Sequence, residues 1–379
     1  MKKQYLLTPG PTPVPPEALL AMARPIIHHR TAQFMNFLKE ATEGLKYVMQ
    51  TQNDVFIFTS SGTGAMESAV SNILSAGDTA LVVRGGKFGE RWSDICQAYG
   101  VKTIDIDCEW GTAIDPAVIK SQLEKNKDIK AVYTTLCETS TGVVNDIEAI
   151  GKVVAKTKAI LVVDAISGLG AVEFKADAWG VDIAISGSQK GLMIPPGLGF
   201  VSVSKKAWEL VEKSKSPRYY FCYKAAKKAA DATDTPWTPA VSLVIALVET
   251  LRLIKADTIE AIVARHKKMA DAVRAAAIGL GLELFAPNAA SDAVTAIKLP
   301  DTVKASEVVK LMRDKYGVTI TAGQGKVKDK ICRIATMGYM NEFDVMIAIS
   351  CLEIALKEKG YKFQAGSGLK AAQEVLMRA

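Results

Sequence analysis

Two residues stand out for what they could do together, Asp164 and Lys190, each placed just after a short apolar run. Ala159-Ile160-Leu161-Val162-Val163 reads as a strand buried on both faces, and it delivers the carboxylate. Val181-Asp182-Ile183-Ala184-Ile185 reads as a second strand, followed by Ser186-Gly187-Ser188-Gln189-Lys190. Ligands of a parallel sheet gather outside the carboxyl ends of its strands, so both side chains are expected at one pocket. The plainer account is that Asp164 caps a turn and Lys190 is a solvated loop charge. Spacing alone favours that account.

The surrounding residues favour the chemical one. A lysine amine condenses with the aldehyde of pyridoxal phosphate, and an aspartate keeps the cofactor's pyridine nitrogen protonated. Phe58-Thr59-Ser60-Ser61-Gly62-Thr63-Gly64-Ala65-Met66-Glu67 reads as strand, glycine and hydroxyl loop, then helix. Backbone N–H groups at such a helix start bind phosphate, although the same pattern also makes an ordinary tight βα turn. It is neither the dinucleotide fingerprint nor a P-loop. Glu138-Thr139-Ser140-Thr141-Gly142-Val143 follows another buried strand, and its hydroxyls either contact a ligand or cap the next turn. Arg333 lies inside the apolar run Ile331-Cys332-Arg333-Ile334-Ala335 and needs a partner. That partner is a substrate carboxylate gripped in two places, or an acidic side chain in a structural salt bridge.

The elements that must position these groups alternate along the chain. Leu6 to Pro16 is too proline-rich for helix or central strand and reads as an extended arm. Residues 17–50 carry helical signals. Strands follow at 55–59, 79–83, 101–106 and 131–136, with helices from about Gly64, near 90–99, near 115–126 and near 146–157. This βα alternation predicts a mostly parallel, doubly wound sheet. A strand at 198–203 follows the lysine, 214–235 reads as an excursion, and helical patterns occupy 240–280. The remainder changes rhythm, with strands near 294–299, 318–321 and 331–335 and helices near 304–316 and 342–359, an α+β domain. A last amphipathic helix follows Gly366-Ser367-Gly368. The expected division is an arm over 1–16, a large domain over 17–255 and a small domain over 256–379.

Composition narrows the setting. With 49% hydrophobic and 23% charged residues, the chain reads as an ordinary globular protein. No apolar run approaches the ~18 residues that cross a bilayer, and the N-terminus lacks a signal-peptide apolar region. The C-terminal Leu376-Met377-Arg378-Ala379 carries no peroxisomal address. Cys96, Cys108, Cys137, Cys222, Cys332 and Cys351 are scattered, which points to reduced thiols in a cytoplasm. His28, His29 and His266 form no metal spacing, and no G-x-S-x-G elbow occurs. The lysine clusters at 224–228 and 265–268 have no interleaved aromatics, so neither nucleic acid nor membrane is expected as a partner.

Taken together, these segments resemble the class V aminotransferases of pyridoxal-phosphate fold type I, closest to the alanine–glyoxylate, serine–glyoxylate and serine–pyruvate group. The likeness runs through Leu7-Thr8-Pro9-Gly10-Pro11-Thr12, Ser61-Gly62-Thr63-Gly64, Glu138 to Val143, Val163 to Ser167, Ser186 to Lys190, Thr235-Pro236-Trp237-Thr238-Pro239 and Arg333-Ile334. It implies a seven-stranded sheet in the large domain. It also implies that Lys190 holds the cofactor and moves the proton, while Asp164 pairs with the ring nitrogen. Ile166 and Phe88 would lie on the two ring faces and Thr139 near the ring hydroxyl. Ser61, Gly62, Thr63 and Gln189 would bind phosphate, with Thr238 of a neighbouring subunit, and Arg333 would hold the substrate carboxylate. Phe88, Thr63 and Thr235 stand where animal members carry tryptophan, histidine and tyrosine.

The implied protein is a cytoplasmic homodimer with shared active sites. It would move an amino group from serine or alanine to glyoxylate or pyruvate by a ping-pong mechanism. The alternatives are elimination or desulfuration on the same fold, and a non-catalytic subunit of a larger complex. Gln189 stands where desulfurases carry histidine before the lysine, which argues against desulfuration.

Overall fold

The computed structural model describes residues 3–378, so Met1, Lys2 and Ala379, at the ends of the expected arm and small domain, lie outside it. Seven strands form the large sheet: β1 (Asp54–Ser60), β2 (Thr79–Arg84), β3 (Lys102–Asp107), β4 (Ile129–Thr135), β5 (Ile160–Asp164), β6 (Ile183–Gly187) and β7 (Gly197–Val203). Their order is β1-β7-β6-β5-β4-β2-β3. Every neighbouring pair is parallel except the two made by β7, which runs antiparallel to both β6 and β1. Two reversals in succession leave β1 pointing the same way as β6. The carboxyl ends of β1, β2, β4, β5 and β6 therefore emerge along one edge.

The sheet is apolar on both faces because helices cover both. Along β5 the residues alternate: Ile160 and Val162 enter one core cluster, Leu161 and Val163 the other. Burying each such side chain contributes about 1.5–3 kcal/mol, and moving Asp164 would require slipping this fully buried strand. The carboxylate is thus placed by hydrophobic register.

Four differences from the sequence reading bear on local structure. The helix after β1 begins at Gly62, and the helix after β2 begins at Lys87, which brings Phe88 into its first turn. The excursion carries a helix, Tyr223–Ala230, because Tyr223 and Ala226 bury themselves against the Phe56 and Phe58 region. The helix Ala305–Leu311 passes into a π-helical turn, Met312–Tyr316, which ends at Gly317 with φ 75°.

The second sheet is antiparallel throughout, in the order Glu283–Leu284, Val294–Lys298, Ile331–Ala335, Thr321–Ala322. The arm connects it to the first. Tyr5–Leu6 pairs with Val318–Thr319, and the Ala335 N–H donates to the Leu7 carbonyl at 3.1 Å. Further on, the Thr12 N–H and Oγ1 donate to the Gln189 and Lys190 carbonyls at 3.2 and 3.0 Å. The final helix, Ser367–Leu376, packs on Ile259–Gly279, with Glu353 accepting from its Gly366 and Leu369 N–H groups. Among the described residues no helix is long and apolar enough to cross a membrane, and no cluster of His, Cys, Asp or Glu could hold a metal.

Candidate active site

The edge shared by β1, β2, β4, β5 and β6 gathers most of the expected residues. After β1, Ser61 is extended and occupies the N-cap of the helix Gly62–Ser71, yet its side chain caps nothing. The first N–H groups of that helix are left free, the arrangement that attracts an anion. Gly62 lies tight against Ile166: a Cβ there would meet the Ile166 Cδ1, and that side chain would have to shift. At Gly64 one would stand 2.0 Å from Ser60 Oγ.

Asp164 ends β5 and is 4% exposed. Its Oδ1 accepts the Ile166 N–H at 2.8 Å, so the turn-capping reading is partly realised. The other oxygen has no hydrogen-bond partner among the described residues. Burial pushes the carboxyl up to about 7, against the Ile166 hydrogen bond and the positive charges of Arg91 and Lys190. Lys190 is 9% exposed, which excludes a solvated loop charge. Its ammonium donates to the Pro9 carbonyl, and burial pushes it down to about 8. Arm and lysine touch so closely that a Cβ on Gly10 would collide with Nζ. Asp164 and Lys190 act on each other's ionisation, and neither forms a salt bridge with any described residue.

Thr139 Oγ1 shares a short hydrogen bond with Ser167 Oγ, 2.5 Å, just beyond Asp164. Arg333 is buried and forms no ion pair among the described residues. It donates to the Ala322 carbonyl from Nε and Nη2 (3.2 and 2.8 Å) and to the Thr139 carbonyl from Nη1 (2.8 Å). Burial brings its basicity down to about 10, with Glu138 the foremost opposing charge. Among the described residues the structural salt bridge of the competing account is absent, so the guanidinium is held by neutral acceptors, with Glu138 acting on it only at a distance. Gln189 Oε1 is buried with no hydrogen-bond partner among the described residues. Thr238 is exposed and stands apart from the Asp164–Lys190 cluster within its own chain, beside Tyr220 and Trp237.

Glu138, to which the sequence assigns no role, organises the site. The helix Lys87–Ala98 starts at Gly86, which has no side chain to cap it. Glu138 Oε2 instead accepts from the Phe88 and Gly89 N–H groups at 3.1 and 2.9 Å. Its Oε1 accepts from the Ser140 N–H at 3.2 Å and Oγ at 2.5 Å. Ser140 Oγ in turn accepts the Lys87 N–H at 3.0 Å. Burial raises the Glu138 pKa while these four donors hold the ionised form. Every neighbour offers a hydrogen, so an amide would face donors in either orientation. Glu138→Gln is expected to cost about 1–3 kcal/mol and to lower Tm by roughly 1–4 °C, as calorimetry would read. The only sequence signal was a carboxylate in an otherwise buried segment.

A cavity of about 230 Å³ lined by Leu38, Thr42, Phe56, Phe58, Ala226 and Pro236 contains none of the expected site residues. The chemistry belongs to the convergent polar groups at the sheet edge, because only they pair a free buried acid with a buried amine. The cofactor fits there on two observations, the uncapped helix start at Ser61–Gly62 and the orphaned Gln189 amide oxygen.

A doubly wound sheet with such a lysine and carboxylate at adjoining strand ends defines a pyridoxal-phosphate-dependent transferase of fold type I. The family model for class V aminotransferases matches residues 4–347, and the chain belongs to that family. It is a pyridoxal-phosphate-dependent aminotransferase. The Anabaena cylindrica protein named soluble hydrogenase 42 kDa subunit is 44% identical over 98% of this chain and 98% of its own length. A serine–glyoxylate aminotransferase of Hyphomicrobium methylovorum is 38% identical over 98% of this chain and 94% of its own. The crystal structure of ureidoglycine–glyoxylate aminotransferase from Bacillus subtilis superimposes with a TM-score of 0.95 at 28% identity, covering 100% of this chain and 99% of that one.

Proposed function

We propose that the protein transfers an amino group from serine or alanine to glyoxylate or pyruvate, with Lys190 and Asp164 as its catalytic residues. The observation that carries this reading is the Asp164–Lys190 pair, both buried, both without a salt bridge, at neighbouring strand ends. Bound there, pyridoxal phosphate supplies the electron sink that lets the alpha carbon of an amino acid lose its proton. Lys190 Nζ holds the cofactor and carries that proton, a task suited to an amine brought down to about 8. Asp164, with one oxygen free of described partners, would pair with the ring nitrogen and keep it protonated. Ile166 and Phe88 would pack on the ring, and Thr139 would lie near its hydroxyl. Ser61, Gly62, Thr63 and Gln189 receive the phosphate.

Arg333 binds the substrate carboxylate. Its fork is already aimed by the Ala322 and Thr139 carbonyls, so an arriving carboxylate meets an oriented, unneutralised charge. Thr238, exposed in its own chain, serves the phosphate of a second subunit in a homodimer. Six free cysteines suit a reducing cytoplasm.

The test is the visible absorbance of the cofactor-loaded protein through each half-reaction. L-serine or L-alanine is expected to bleach the band, and glyoxylate or pyruvate to restore it. A band bleached by neither donor but by L-aspartate would overturn the donor assignment. A band that no amino acid moves would favour the non-catalytic subunit, the alternative with which the name of the Anabaena relative agrees.

A further inference from the structure

Arg91 lies one turn beyond Phe88 on the helix Lys87–Ala98 and reaches back over the site. Its guanidinium carbon is 4.9 Å from the centroid of the Phe88 ring. Nη1 donates to Thr63 Oγ1 at 3.1 Å, which places the charge at the first turn of the helix Gly62–Ser71. The side chain is half-buried and forms no salt bridge with any described residue. A positive guanidinium and an uncapped helix start therefore meet at one place. Both contribute positive potential to one small volume, and both are good partners for a phosphate.

We propose that Arg91 is a ligand of the cofactor's phosphate, anchored by Thr63 and seated over the Phe88 ring. This rests on the reading that the phosphate sits at Ser61–Thr63. The stacking has a second consequence. The ring that closes one cofactor face is held by the same cation that grips the phosphate, so Arg91 couples phosphate capture to ring placement. The competing account is a shelf, in which Arg91 only supports Phe88 and meets no ligand. The two accounts differ in whether the ligand's phosphate matters.

The experiment titrates cofactor-free protein with pyridoxal phosphate and, separately, with pyridoxal, which has the same ring and aldehyde without the phosphate. Binding is read from visible absorbance and from quenching of tryptophan fluorescence. Arg91→Gln is expected to weaken pyridoxal phosphate roughly 10–100-fold and pyridoxal less than about twofold. Arg91→Lys keeps the charge and loses the fork, so it should fall between. Circular dichroism and Tm of both variants establish that they fold. An equal loss for both ligands, or no loss for either, overturns the proposal. If the unaltered protein binds the two ligands equally tightly, the phosphate seat itself is wrong, and the proposal falls with it. If the unaltered protein transfers no amino group yet the phosphate-dependent loss appears, the functional reading fails and the Arg91 assignment stands.

Discussion

Lys190→Ala is expected to lower turnover by at least about 10⁴-fold, because it removes the proposed covalent tether of the cofactor and the proposed proton carrier together. The loss should appear in kcat measured at saturating cofactor and donor, with the protein still folded. Stability supports that separation of effects. The folded-state pKa of Lys190, about 8, lies below its unfolded value of 10.5. Its contribution to stability is therefore present above pH 10.5 and is lost as pH falls through about 8. At pH 7 the buried ammonium costs stability, and alanine removes that cost, so the cofactor-free variant should melt no lower than the parent. The same ionisation sets cofactor uptake. The free amine attacks the aldehyde, so the rate of uptake by cofactor-free protein should climb with pH and level off above about 8. A Lys190→Ala protein retaining more than about a hundredth of parental kcat would remove Lys190 from the chemistry.

Asp164→Asn should reduce kcat by about 10²–10⁴-fold while leaving the geometry nearly intact. Asparagine still accepts the Ile166 N–H, so the turn after β5 survives; what disappears is the charge proposed to keep the ring nitrogen protonated. The stability prediction has the opposite sign from the activity prediction. Burial raises the folded-state pKa from 3.8 to about 7, so the fold favours the protonated carboxyl. That contribution is complete below pH 3.8 and lost as pH rises through about 7. Above pH 7 the ionised, half-satisfied carboxylate destabilises the cofactor-free protein. The Asn variant should then melt at least about 2 °C higher at pH 8, with the difference shrinking toward pH 5. A lower Tm at pH 8 would mean that Asp164 is held by partners other than Ile166. Loss of activity with a gain in stability would mark the carboxylate as kept for catalysis at the fold's expense.

Much of this protein was legible in the sequence, for reasons that are local. Apolar runs such as Ile160–Val163 admit one reading, a strand covered on both faces, and a strand's end announces where its next polar residue will sit. Asp164 and Lys190 therefore needed no tertiary information to be paired, and the glycines at 62 and 64 already implied close backbone approach. Other features were settled by packing between distant segments. Only the three-dimensional structure shows Glu138 capping a helix fifty residues earlier in the chain, or β7 reversing so that β1 points with the others. It also decides that Arg333 has carbonyls and no carboxylate for company, and that the Pro9 carbonyl lies on Lys190. Arg91 falls within the helix expected near 90–99, where periodicity assigns its charge no task. Its meaning lies in meeting Thr63 and Phe88, and contact between side chains from separate strand–helix units is fixed by how the sheet packs, which periodicity does not encode.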